Sequence, residues 1–282
     1  MSARLTSYSR DGLTFDVRDE GPEDGTPVVL LHGFPERSSC WRSVAPLLHE
    51  AGLRTYAPDQ RGYSPGARPA GRRAYAVPEL VADVVALVEE IGTPVHLVGH
   101  DWGSMVGWGL AASRPELVSS WTAVSVPHPA AFTKAMRTTR QGLHSWYMGL
   151  FQLPLVVEQL ARWEGGPVDQ GLRRTGMTRE EVARFRTEIV EYGALPHALG
   201  WYRALPLSAG GNGFGRRVRV PTTMVWSTGD SAIVRPGVDW TERYVEAPYE
   251  LVVLDGVSHW IPTHAPEPLV EAILARIASA GG

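Results

Sequence analysis

Short apolar runs alternate with helical stretches through much of this 282-residue chain. Val28-Val29-Leu30-Leu31 is β-branched and apolar without interruption, the pattern of a strand buried on both faces, and it ends in His32-Gly33. Residues 38–51 space Trp41, Val44, Leu47 and Leu48 along one helical face, with Gly52 at the C-terminus. Residues 53–57 form another strand-like run ending at Pro58-Asp59, and residues 62–73, rich in Gly, Pro and Arg, predict a loop. Over residues 77–91 the positions Leu80, Val81, Val84, Val85, Leu87, Val88 and Ile91 predict an amphipathic helix stopped at Gly92. Val95-His96-Leu97-Val98 is a further strand, followed by Gly99-His100-Asp101-Trp102-Gly103 and a helix over residues 104–113.

Strands alternating with helices imply a parallel sheet covered on both faces. Ligands of such sheets lie at the carboxyl ends of the strands. The segments His32 to Glu36, Asp59 to Ser64 and Asp101 each follow a predicted strand, so they are expected to converge on one site. The rhythm breaks after Trp121-Thr122-Ala123-Val124. Residues 129–213 look mainly helical, punctuated by Gly165-Gly166-Pro167 and Gly210-Gly211-Asn212-Gly213. The pattern resumes with a strand over 222–227, a helix over 236–245, a strand over 251–254 and a helix over 267–278. The expected organisation is an α/β core of residues 1–128 and 214–282, interrupted by an inserted helical cap of residues 129–213.

Apolar residues make up 44% of the chain and charged residues 20%, a balance that fits a soluble globular protein with a sizeable core. A net charge of −3 gives no electrostatic reason to expect nucleic acid or an anionic membrane as partner. Arg72-Arg73 and Arg216-Arg217 read as solvated surface charges. Cys40 is the single cysteine, which rules out an intrachain disulfide and a cysteine-type zinc cluster, and it reads as a buried small hydrophobe. Residues 1–10 hold no apolar stretch long enough for a signal peptide, and no run approaches a membrane span. A cytoplasmic location is the default expectation. Of the ten tryptophans, several fall in the middle third, where aromatics can line a pocket or simply pack.

The decisive segment is Gly99-His100-Asp101-Trp102-Gly103. A strand, then small-x-nucleophile-x-small, then a helix reads as a nucleophile elbow. Its central residue is aspartate. A carboxylate attacking an acyl carbon would give an anhydride, whereas attack on a saturated carbon bearing a leaving group gives a stable alkyl ester. Water can then cleave that ester at its carbonyl. Asp101 therefore points to epoxides or alkyl halides. The base and acid should follow it in chain order, after later strands. His259, in Gly256-Val257-Ser258-His259-Trp260, and Asp230, in Trp226-Ser227-Thr228-Gly229-Asp230, occupy those places. Asp255 is a fallback acid, but it lies close in sequence to His259.

His32-Gly33-Phe34-Pro35-Glu36, Asp59-Gln60-Arg61-Gly62-Tyr63-Ser64 and Gly99-His100-Asp101-Trp102-Gly103 together resemble the α/β-hydrolase-fold epoxide hydrolases over nearly the whole chain. The last of these motifs is shared with haloalkane dehalogenases. Ser145-Trp146-Tyr147 followed by Phe151-Gln152-Leu153 looks like the segment with the family's first lid tyrosine, Tyr147. Gly200-Trp201-Tyr202-Arg203 looks like that of the second, Tyr202. A phenol stays protonated at neutral pH and can donate to the alkoxide that ring opening creates. The resemblance also implies an oxyanion hole from the backbone amides of Phe34 and Trp102. His32 is expected to fix its loop and His100 to order the elbow, while His144, His197 and His264 receive no chemistry. Ser258 stands where glycine often precedes the histidine, with only a local backbone effect expected.

The resulting expectation is an enzyme that converts a small apolar epoxide and water to a vicinal diol, with no metal or organic cofactor. Two other readings remain at this stage. A haloalkane dehalogenase would use the same Asp101, Asp230 and His259 with the Trp102 indole on the halide, but Phe34 cannot supply a second donor from its side chain. A fluoroacetate-type enzyme would want arginines after the nucleophile, where Trp102, Ser104 and Met105 stand. From another class, a non-catalytic receptor could bind a small apolar ligand under the cap, though a complete triad would then serve no purpose. The identity of the epoxide, its regiochemistry and the oligomeric state are not encoded legibly.

Overall fold

A computed structural model describes residues 4–208 and 215–281. Among these residues eight strands form one sheet: β1 (Ser7–Arg10), β2 (Leu13–Glu20), β3 (Thr26–Leu31), β4 (Leu53–Pro58), β5 (Val95–His100), β6 (Val118–Val124), β7 (Thr222–Ser227) and β8 (Tyr249–Leu254). Their spatial order is β1-β2-β4-β3-β5-β6-β7-β8. The pairs β1–β2 and β2–β4 are antiparallel and the others parallel. This is the α/β-hydrolase arrangement. The chain runs outward from β3 to β4 and returns past β3 to β5, so β3 and β5 flank the point where winding direction reverses. Loops leaving their carboxyl ends diverge there and open a crevice.

The central strands are apolar on both faces because helices cover both. Val28, Val29, Leu30 and Leu31 are all fully buried. The helix Val77–Ile91 has the expected bounds and ends at Gly92, whose φ of 81° is the left-handed terminating conformation. The helix Trp102–Ser113 follows β5 directly, and Pro266–Ala280 closes the chain against the opposite face.

Several elements depart from the sequence reading. Residues 38–51 are a 3₁₀ turn, Ser38–Ser43, followed by the helix Ala45–Glu50, because Pro46 can start a helix but not continue one. The stretch 236–245 divides similarly into Arg235–Asp239 and a 3₁₀ turn, Thr241–Tyr244. The segment 62–73 carries the 3₁₀ turn Pro65–Ala67, and a second, Arg72–Tyr75, begins within it. The antiparallel strands β1 and β2 extend the sheet ahead of the first expected strand. In β2, Phe15, Val17 and Asp19 face inward in alternation, and Asp19 is compensated by Arg54 at 2.6 Å and Arg4 at 3.1 Å.

Between β6 and β7 the chain forms a helical insertion, beginning with Pro129–Thr138 and continuing to the helix Leu195–Ser208. The glycine-rich segment 210–213 lies outside the described residues. Among those described, no helix is long and apolar enough to cross a membrane.

Candidate active site

Asp101 lies at the turn between β5 and its helix with φ 52° and ψ −116°, a conformation that costs a non-glycine residue energy and marks a site held in place by its surroundings. Two glycines make the turn sterically feasible. A Cβ on Gly99 would fall 2.5 Å from the Gly103 carbonyl oxygen, and one on Gly33 would fall 2.5 Å from Asp101 Oδ1. The Ser104 hydroxyl donates to the Gly99 carbonyl (2.5 Å) and accepts the Val124 N–H (3.0 Å), tying the elbow to β6.

The Phe34 amide, just beyond β3, donates to Asp101 Oδ1 at 2.8 Å. The Trp102 amide follows Asp101 as the first N–H of the helix. His259 Nε2 stands 3.5 Å from the other carboxylate oxygen, Oδ2. On its far side His259 Nδ1–H donates to Asp230 Oδ2 at 2.8 Å. Asp230 Oδ1 accepts the N–H groups of Ala232 (2.8 Å) and Ile233 (2.9 Å), so both its oxygens are committed and the imidazole tautomer is set. Asp255 instead accepts the Thr228 hydroxyl at 2.7 Å, turned away from this site.

Burial acts to lower the His259 pKa, but the Asp230 charge, hydrogen bonds to Asp101 and Asp230, and the Asp101 charge outweigh it and lift it to about 10. Burial would raise the Asp101 carboxyl, yet His259, His100 and the Phe34 amide hold it below the ordinary carboxylate range. Asp101 and Asp230 thus both favour the protonated form of the ring that lies between them.

A cavity of about 800 Å³ opens over this carboxylate. Asp101, Trp102, Met105, Tyr147, Tyr202 and Ile233 are among its walls. Tyr202, on the helix Leu195–Ser208, is buried, with its ring centroid 4.9 Å from Trp102, 5.2 Å from Phe34 and 4.8 Å from Phe151. Tyr147 begins the short helix Tyr147–Leu150, with its ring 6.3 Å from that of Tyr202. Burial first, and the Asp101 charge second, push both phenols well above a free tyrosine. Among the described residues neither hydroxyl donates to a protein acceptor. The structure thus brings Asp101, Asp230, His259, Tyr147, Tyr202 and the Phe34 and Trp102 amides to one place. Of the middle-third tryptophans, Trp102 lines the cavity, Trp108 and Trp121 fill the core, and Trp146 and Trp163 are exposed.

The loop Asp59 to Ser64 does not line the cavity. Asp59 is spent on Arg37 and the Ser38 amide, and the Gln60 N–H donates to His32 Nε2 at 3.1 Å. His32, lowered to about 4 by burial, is a neutral brace. His100, also lowered to about 4 chiefly by burial, donates from Nε2 to the His259 carbonyl at 2.9 Å, so it orders the histidine loop. Arg72 is not simply solvated: it bonds the Arg203 carbonyl and, at 3.0 Å, Gln152, joining core to insertion. His144 and His197 also span that seam, to the Ser231 carbonyl and the Tyr75 hydroxyl, each at 2.9 Å.

Two supports had no sequence signal. Gln141, fully buried in the insertion, donates to the Ala232 carbonyl (2.7 Å) and accepts the Val234 N–H (2.9 Å), clamping the Asp230 loop. Ser125, with φ 69°, donates to the His259 carbonyl at 3.1 Å. Among the described residues no group of three or more His, Cys, Asp or Glu is placed to hold a metal ion.

Comparison with known proteins defines the class. A family model described as alpha/beta hydrolase fold matches residues 26–262. The AB hydrolase superfamily protein YfhM of Bacillus subtilis is 35% identical over 94% of this chain and 94% of its own length. Epoxide hydrolase A of Mycobacterium tuberculosis is 30% identical, again over 94% of each chain. The crystal structure of epoxide hydrolase VrEH1 from Vigna radiata superposes with a TM-score of 0.82 at 28% identity, covering 97% of each chain. The chain belongs to the epoxide hydrolase family of α/β-hydrolase-fold proteins.

Proposed function

We propose that this protein hydrolyses an epoxide to a vicinal diol through an alkyl ester on Asp101, with residues 129–213 as the cap that supplies the acid. The observation that carries the reading is the division of labour at the Asp101 carboxylate. Oδ1 is held by the Phe34 amide, while Oδ2 faces His259 in a cavity shared with two phenols. Oδ2 attacks an epoxide carbon and the C–O bond breaks, while Tyr147 and Tyr202 donate to the departing oxygen. Their raised pKa keeps them protonated until alkoxide charge develops.

Alkylation removes the Asp101 charge. The imidazolium loses one of the two anions that hold its proton, and the ring becomes the neutral base that the second step requires. The alkoxide takes its proton from a phenol, and that phenolate is reprotonated through water as His259 gives up its own proton, so the step balances. His259 then activates water against the ester carbonyl. Its oxygen, Oδ1, gains negative charge and is met by the Phe34 and Trp102 amides. Collapse releases the diol, and the carboxylate and imidazolium are restored. The substrate is a small apolar epoxide, matched to the largely apolar walls of the cavity.

The test is intact-protein mass spectrometry of His259→Gln after brief exposure to epoxides and, separately, haloalkanes. A gain of one whole epoxide mapped to Asp101 is expected. A gain of only the alkyl group of a haloalkane, with no epoxide adduct, would overturn the reading and return Tyr147 and Tyr202 to packing roles.

A further inference from the structure

His259 is restrained from the core side by Asp230 on its ring and by His100 and Ser125 on its carbonyl. Its sequence neighbours are tied to the cap. The Ser258 hydroxyl lies 2.6 Å from His264 Nδ1, and His264 Nε2 lies 3.0 and 3.1 Å from the two oxygens of Glu181. His264 thus hydrogen-bonds Ser258 through Nδ1 and the Glu181 carboxylate through Nε2. The Ser258 oxygen in turn accepts the Trp260 N–H at 3.2 Å. Glu181 is itself anchored, since it accepts the Thr178 N–H at 2.6 Å and completes a capping box on the cap helix Arg179–Phe185. On the other side of His259, the Trp260 indole donates to Thr175 at 3.1 Å and packs with Met177 and Val182. Gly176 sits directly on the serine: a Cβ there would lie 2.6 Å from Ser258 Cβ.

We propose that Ser258, His264 and Glu181 form a positioning chain from the cap to the His259 loop, acting on ester hydrolysis and not on ring opening. The inference rests on the epoxide hydrolase reading above. Ring opening needs Oδ2 of Asp101 and two phenols, none of which these residues touch. Hydrolysis needs the imidazole lined up on a water and on the ester carbonyl at once, and such alignment is lost with small displacements. A glycine at position 258 would leave His264 Nδ1 without its hydrogen-bond partner and the loop with one cap contact fewer. The serine therefore does more than adjust the local backbone: it connects the catalytic loop to the element that closes over the substrate.

The experiment separates the half-reactions. Full-length wild type, Ser258→Ala, His264→Phe and Ser258→Thr are mixed rapidly with an epoxide that alkylates His259→Gln, quenched, and weighed for the Asp101 ester. Ser258→Ala and His264→Phe are expected to alkylate within about twofold of wild type and to hydrolyse the ester about tenfold more slowly or worse, so that modified enzyme accumulates during turnover. Ser258→Thr, which keeps the hydroxyl, should restore hydrolysis. Equal loss in both steps would mean a merely structural contact, and unchanged rates in both would mean none of consequence; either overturns the proposal. Should His264→Phe fail to fold, Ser258→Ala, which removes a single oxygen, decides alone. If no protein, His259→Gln included, gains the mass of an epoxide, the enzymatic reading fails and this inference with it. An adduct with no selective slowing overturns only the positioning chain.

Discussion

The two sides of the cavity are built by different means. On the sheet side, backbone places the groups proposed to react: Asp101 on a left-handed turn between Gly99 and Gly103, the Phe34 amide one residue beyond Gly33, and Asp230 locked by two amides. On the cap side, side-chain packing places them. Tyr202 is wedged among Phe34, Trp102, Phe151 and Tyr147, and the segment bearing Tyr147 consists of short helices whose neighbours Leu143, Trp146 and Leu155 are exposed. The contrast follows from the chemistry. A nucleophile must meet one carbon along one line, and a backbone turn supplies that rigidity. A proton donor must follow an oxygen that moves as the ring opens, and a packed phenol can adjust.

That contrast can be tested at several strengths. Asp101→Ala should lower turnover by at least ~10⁴-fold in a diol assay, and near-normal diol formation would end the nucleophile assignment. Replacing both Tyr147 and Tyr202 by Phe should slow alkylation by ~10²–10⁴-fold in rapid-quench experiments, the range for positioned proton donors. Because neither hydroxyl donates to an acceptor among the described residues, the double variant should keep its fold. Gly33→Ala brings a methyl against the nucleophile's own oxygen and should cost ~10²-fold in turnover with far-ultraviolet circular dichroism unchanged. An equally active Gly33→Ala enzyme would mean that the sheet side is as adaptable as the cap side. Phe34→Ala keeps the amide donor, so its effect on ester hydrolysis should stay well under the ~10²-fold that loss of an oxyanion-hole donor costs.

A pH dependence completes the series. The folded-state pKa of His259 is raised from 6.5 to about 10, so its contribution to stability is fully present below pH 6.5 and is lost as pH rises to about 10. Thermal midpoints should fall across that window more steeply for wild type than for His259→Gln, and parallel curves would show that the imidazolium is not held as described.

The same division explains what could be read from sequence. Strands covered on both faces leave uninterrupted apolar runs, so β3, β5 and β7 stand out, and residues at their ends inherit a location. Asp101, Asp230 and His259 could be placed at strand ends for that reason. The strand β2 was not, because Asp16, Arg18 and Glu20 alternate with its inward residues and Asp19 is buried as an ion pair. Tyr147 lies in a four-residue helix without periodicity, and only the family resemblance singled it out. Gln141 and Ser125 act on backbone groups that no local pattern connects to them; their partners lie about 90 and 130 residues away. Ser258 was visible as a departure, but its link through His264 to Glu181, contributed by a distant helix, was not.

The pairing of β6 with β7 joins Trp121 to Thr222, about a hundred residues apart along the chain. Closing a loop of that length delays folding more than it weakens the finished fold. During synthesis the elbow emerges and can order well before β7 and β8 exist. A nascent chain at that stage lacks Asp230 and His259, so two of the three residues proposed for the triad join Asp101 only when β7 and β8 zip up.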